Sequence, residues 1–135
     1  MINTSKSHTL FLFSAIVSIL ICYSSHADAA SVTGTYKSVT SKNAVFSITI
    51  GNPAPSSLII QNHHTPGVKA SASSPSASKV NYKEGTAKWL LKNTRPGNYT
   101  FSITFAGSVI PSDTHLILRY RDPATGSFQE THIRP

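Results

Sequence analysis

The chain has 135 residues, 39% of them hydrophobic, with a formal charge of +7 and a single cysteine. That length suits one small domain rather than several. One cysteine excludes a disulfide framework and a cysteine-built metal site, and cations scattered without a block of five or six carry no specific nucleic-acid signal.

The N-terminus comes first because it decides what belongs to the working domain. Residues 1–9 are polar and include Lys6, and residues 10–21, LFLFSAIVSILI, form an apolar run. A membrane helix needs about 20 such residues. Ala27-Asp28-Ala29 then supplies a small-x-small cleavage pattern. Together these predict a secretory signal peptide over residues 1–29 and a domain over residues 30–135. Ile21 before Cys22 argues against a lipid anchor. Cys22 leaves with the signal, so about 105 residues must close a hydrophobic core without disulfides. The expected location is secreted or periplasmic. The domain keeps only Glu84, Asp113, Asp122 and Glu130 as acids. Its positive balance predicts attraction to anionic partners outside the cytoplasm, such as acidic glycans or acidic proteins, and nucleic-acid affinity without specificity.

Downstream, apolar residues recur with period two and hardly anywhere with period 3.6. The first strand is expected around Thr35 to Val39. In NAVFSITIG, Phe46, Ile48 and Ile50 share a face. NPAPS breaks the chain, and SSLIIQNHH follows with Leu58 and Ile60 inward. Pro66-Gly67 turns into VKASAS, a small-residue strand suited to a sheet edge. After the polar loop SSPSAS come KVNYKEG and TAKWLLKN, the latter with Trp89 and Leu91 on one face and Leu90 on the other. RPGNYTFSITFAG is the most regular stretch. Its Tyr99, Phe101, Ile103 and Phe105 should face an opposite sheet, each contributing roughly 1.5–3 kcal/mol on burial. In HLILRYR, Leu116, Leu118 and Tyr120 point inward. DPATG is a turn, with Pro fixing φ and Gly126 taking the positive-φ position, and SFQETHIR is the partner strand. About eight short strands at ten-residue spacing predict an all-β fold, a single antiparallel β-sandwich of about seven or eight strands.

The succession FSITIGNPAPSS, HHTPGVKASASSP, GTAKWLLKNTRPGNYTFSITF resembles the conserved-repeat immunoglobulin-like domains of bacterial cell-surface and secreted proteins. Asn52-Pro53, Pro66-Gly67, Trp89 and Pro96-Gly97 carry the likeness, over Phe46 to Phe105. The resemblance implies an immunoglobulin-like sandwich acting in the cell envelope. Pro96-Gly97-Asn98-Tyr99 also resembles a tyrosine corner, in which the hydroxyl bonds back to nearby backbone.

Candidates for chemistry are few. His63 and His64 are the weak metal candidates, with His115 and His132 as conceivable partners, since imidazoles ligate copper or zinc. Neighbours in a strand point to opposite faces, however, and the plain reading is surface or turn histidines. No nucleophile elbow, meeting carboxylates or phosphate-binding Gly loop occurs, so neither enzyme activity nor a cofactor is expected. What remains is a binding surface. Lys88, Lys92, Arg119 and Arg121, with Tyr120 or Tyr82 at the margin, can form a basic face. The expected function is a non-catalytic binding or assembly-accessory module of the cell envelope, using a strand edge or this face. The alternative is a carbohydrate or anionic surface-polymer binder, and a periplasmic copper carrier stands behind both.

Overall fold

The computed structural model describes residues 29–135. The apolar run, Cys22 and the first two residues of the cleavage pattern lie outside the described residues. The described residues form nine strands: β1 Val32–Val39, β2 Asn43–Ile50, β3 Ser57–His63, β4 Ala70–Ser74, β5 Lys79–Asn81, β6 Thr86–Lys92, β7 Gly97–Phe105, β8 His115–Arg121 and β9 Phe128–Ile133. A 3-10 turn, Pro111–Asp113, precedes β8. The first strand starts three residues earlier than its apolar pattern announces. The short β5 brings the total to nine, where about eight were expected.

The strands make two antiparallel sheets, β1-β2-β7-β4 and β5-β6-β3-β8-β9. β-branched and aromatic residues dominate β2, β3, β7 and β8, whose alternation buries every second side chain. Phe46, Ile48 and Ile50 from β2, Phe101, Ile103 and Phe105 from β7, Leu58 and Ile60 from β3, and Leu116 and Leu118 from β8 form one core. Each is at most 3% exposed. The fold is therefore all-β and sandwich-like, with the expected inward faces in place.

Aromatic contacts join the layers. Phe46 stacks on Phe101 within one sheet, with centroids 5.2 Å apart. Trp89, from the other sheet, meets both edge-on at 5.7 and 5.5 Å, a geometry that favours the ring quadrupoles. The Trp89 indole N–H donates to the Pro75 carbonyl at 2.8 Å, so its one polar atom is satisfied. Tyr99 is only half-buried. Its hydroxyl donates to the Arg95 carbonyl at 2.8 Å, the back-bond expected of a tyrosine corner.

Two glycines are required by geometry. Gly126, at φ +71°, closes the β8–β9 hairpin, its N–H donating to the Asp122 carbonyl at 2.7 Å. Gly85, at φ +66°, lets the chain pass against the His64 and Thr65 carbonyls, where a Cβ would collide with backbone. Ala30 ties the start of the domain down. Its N–H donates to Asp122 Oδ1 and its carbonyl accepts from the Tyr120 hydroxyl, both at 3.3 Å.

Replacing Trp89 with Ala removes the one ring that touches both Phe46 and Phe101, and is expected to cost about 3–5 kcal/mol in urea unfolding. Leu90→Ala, on the opposite face of the same strand, should stay within about 0.5 kcal/mol. Equal losses would contradict this packing.

Candidate interaction surface

Strand parity and register place the outward side chains of the five-stranded sheet. Gln61 lies between Lys88 of β6 and Ile117 of β8, and Ile117 is followed by His132 of β9. The next row runs Leu90, Ile59, Arg119, Glu130, and Arg121 pairs with Phe128 beyond it. Lys88, Lys92, Arg119 and Arg121 thus share one face. β3 separates the two lysines from the two arginines. The consecutive strands β6 and β7 belong to different sheets, so no hairpin carries this stripe.

The arginines are also occupied. Arg119 Nε donates to Glu130 Oε2 at 2.6 Å and its Nη1 to Gln61 Oε1 at 3.2 Å. His132 Nε2 donates to the other Glu130 oxygen at 2.7 Å. Arg119 first, and His132 after it, hold the Glu130 carboxyl below the usual carboxylate range. The Arg121 guanidinium sits 4.5 Å from the Phe128 ring centre, a cation–π contact. Tyr120 is only 9% exposed and points into the core, so it is not part of this face. Among the described residues, the exposed large aromatics are Phe128 at 75% and Tyr82 at 52%. Phe128 opens β9 and Tyr82 follows β5, and these strands are opposite edges of the sheet. They cannot line one groove together. A cleft of about 570 Å³ does open at the seam between β6 and β7, floored by Ile50, Leu91 and Phe101, with Lys92 and Arg95 among its walls.

The histidines divide as alternation requires. His63 faces outward and stacks on His115, centroids 4.6 Å apart. Burial, then the positive potential of His115 and Arg119, lowers its pKa. His64, one residue on, is 2% exposed, which corrects the surface-or-turn reading for that residue. The chain turns its imidazole inward against Phe105, 4.8 Å between ring centres. There it completes a relay. The Tyr36 hydroxyl donates to Asn62 Oδ1 at 2.8 Å, Asn62 Nδ2 donates to His64 Nδ1 at 3.3 Å, and His64 Nε2 donates to the Val68 carbonyl at 2.8 Å. The two bonds of His64 require a neutral imidazole with its proton on Nε2. Burial lowers the His64 pKa accordingly, and burial raises that of Tyr36. Among the described residues, no three His, Cys, Asp or Glu side chains gather as metal ligands. His63 and His64 point to opposite sides of the sheet.

The free edges of the sheets differ more than their faces. β1 carries a bulge between Tyr36 and Ser38, with Lys37 exposed there. β4 has an irregular register between Ala70 and Ala72 and runs into Pro75, and β5 has three residues. Bulges, prolines and short length are the usual ways to blunt an edge. β9 has none of these. It pairs with β8 in unbroken register from Phe128 to Ile133. The hairpin fixes which of its amides are free. Asp122 N–H donates to the Ser127 carbonyl at 2.8 Å, making this a hydrogen-bonded pair. Hydrogen-bonded and non-hydrogen-bonded pairs alternate along an antiparallel ladder. Phe128, Glu130 and His132 therefore turn their N–H and C=O away from β8, and all three residues are exposed. The bonds from Asn93 N–H to Ser56 and from His64 N–H to Gly85 set the same alternation through β3.

Compared with known proteins, the chain matches no family, no characterised protein and no solved structure. Among the described residues no helix is long and apolar enough to cross a membrane.

The relay gives a pH dependence. In the unfolded chain His64 has its ordinary pKa of 6.5, and in the fold it is lower. The unfolded state therefore binds more protons, so the stabilisation is present above about pH 6.5 and is lost as pH falls through the folded value. Urea midpoints measured from pH 8 to pH 5 should fall below about pH 6.5. His63, whose pKa is also lowered, contributes to the same fall, so His64→Gln should make the fall shallower without abolishing it, and an unchanged slope would rule the relay out as a source.

Proposed function

We propose that this chain is a non-catalytic binding module of immunoglobulin-like type, exported to the cell envelope or beyond. It takes an extended segment of a protein partner onto the edge of β9. The single observation carrying this reading is the bare edge itself: a regular six-residue strand with Phe128, Glu130 and His132 presenting unpaired main-chain groups, beside three blunted edges. Edge addition gives affinity through main-chain bonds and specificity through alternate side chains. Here the side chains flanking the edge are Phe128, Glu130 and His132.

The strand order supports the immunoglobulin-like reading. β1-β2-β7-β4 corresponds to an A-B-E-D sheet, and β3-β8-β9 to C-F-G with two strands added beside C. The chain departs from the usual sequence because β4 joins its sheet before β5 and β6 are laid down. Export rests on the N-terminal pattern. The mixed character of the outward face, where Glu130, Leu90 and Phe128 interrupt the cations, favours a protein partner over an anionic glycan.

The test is capture from the envelope fraction of the producing cells, at low and at about 1 M salt, where screening reaches about 3 Å. Capture should persist in high salt and in Lys88→Ala/Lys92→Ala, and should be lost in His132→Pro, which removes an outward N–H without breaking the β8–β9 ladder. Loss with salt and with the lysines, but not with His132→Pro, would overturn this reading in favour of an anionic polymer.

A further inference from the structure

We infer that β9 is self-complementary, and that the partner it fits is β9 of a second copy of this chain, paired antiparallel about a two-fold axis through Thr131. The inference rests on the edge reading above and names the occupant of that edge.

Phe128, Glu130 and His132 project from the outward face and also hold the free main-chain groups. A two-fold axis perpendicular to the sheet keeps outward faces together, so only registers pairing these residues with one another and with Arg134 are allowed. The register centred on Thr131 sets Glu130 opposite His132 of the other copy, and His132 opposite its Glu130. Each such pair can exchange two N–H···O bonds, because all four residues point their main-chain groups outward. Carried one residue past the strand, the same register sets Phe128 opposite Arg134, offering the ring a second guanidinium besides that of Arg121. Thr131 meets Thr131 as a non-hydrogen-bonded pair, a favourable cross-strand match.

The neighbouring registers are poorer. Centring on Glu130 opposes two carboxylates, and like charges directly opposite destabilise. Centring on His132 opposes two imidazoles, loses the Phe128–Arg134 contact, and sets opposite Arg134 a Glu130 whose two oxygens Arg119 and His132 already bond. Complementarity of charge and ring thus selects one alignment and one occupant. The product is a continuous ten-stranded sheet across two copies, twice the five-stranded sheet of one. A ladder this short buries less than the roughly 1,200–2,000 Å² of a stable complex, so association should depend on concentration.

The protein produced from the full-length sequence is examined by sedimentation equilibrium from about 1 to several hundred micromolar, the range a small interface calls for. A reversible monomer–dimer equilibrium is expected. His132→Pro should weaken it by at least about tenfold, whereas His132→Ala, which keeps the N–H, should weaken it less. Register is read by oxidation. In Thr131→Cys the two thiols meet at a pair with Cα atoms about 4.5 Å apart and should cross-link. In Gln129→Cys they lie roughly 13 Å apart along the edge and should not. A monomer throughout this range, or equal cross-linking at both positions, would overturn the inference. If the chain stays monomeric while His132→Pro still abolishes capture of an envelope protein, self-pairing fails and the edge reading stands. If capture is also indifferent to His132→Pro, both fail.

Discussion

The contact of Trp89 with Phe46 and Phe101 is the constraint on which the rest depends. With Trp89 inward, Lys88 and Leu90 must be outward, because strand side chains alternate. The ladder transmits that choice. Trp89 pairs with Ile60, Ile60 with Leu118, and Leu118 with Thr131, all on the core side. Gln61, Arg119, Glu130 and His132 are left on the outside. A slip of one residue anywhere in this row would turn a charged set into the core. Packing in the middle of the sandwich thus decides which amides are bare at its edge, two strands away from β3.

The same alternation explains the histidine pair. His63 and His64 are adjacent in sequence, yet one stacks on His115 outside and the other is sealed against Phe105 inside. Burying an imidazole requires partners for both nitrogens. Asn62 and the Val68 carbonyl provide them, and Tyr36 in turn orients Asn62. Tyr36 comes from β1 and Asn62 from β3, so this polar relay crosses between the sheets much as the aromatic contact does. Its directionality adds something the aromatic cluster lacks. Only one tautomer of His64 and one orientation of the Asn62 amide satisfy it, which fixes how the sheets sit on each other.

Much of this was legible in the residues, and the failures have one cause. Alternation in residues 99–105 and 115–121 gave the inward faces of β7 and β8, and Pro96-Gly97 before Tyr99 announced the back-bond to Arg95. The shared face of Lys88, Lys92, Arg119 and Arg121 also follows from parity alone. What parity does not contain is which strands are neighbours. The insertion of β3 between β6 and β8, and the use of Glu130 and Gln61 to engage Arg119, depend on pairings distant in sequence. For the same reason His64 read as a turn residue: its partners Asn62 and Val68 are close by, but the Phe105 ring that covers it is not. The bare edge of β9 was equally hidden, since an edge is a property of sheet order and not of a segment.

A sandwich has four edges to manage, and this one manages them unevenly. β1, β4 and β5 are irregular or short, while β9 keeps full register. Its inward side gives a physical reason for that regularity. Ile133 packs on the core, and its Cδ1 lies where a Cβ on Gly34 would stand, so β9 closes the seam against β1. A bulge in mid-strand would shift the register of Ile133, lift it off that seat and expose the core at the seam. β9 therefore cannot be bulged without loss of packing, and no proline stands at its outward-facing positions. Its protection is left to side chains, and Glu130 is the only carboxylate in the strand. Arg119 and His132 already bond both of its oxygens, which weakens the repulsion an isolated carboxylate would present to an approaching strand. The packing that keeps β9 straight and the ion pairing that quiets its charge together leave the edge receptive.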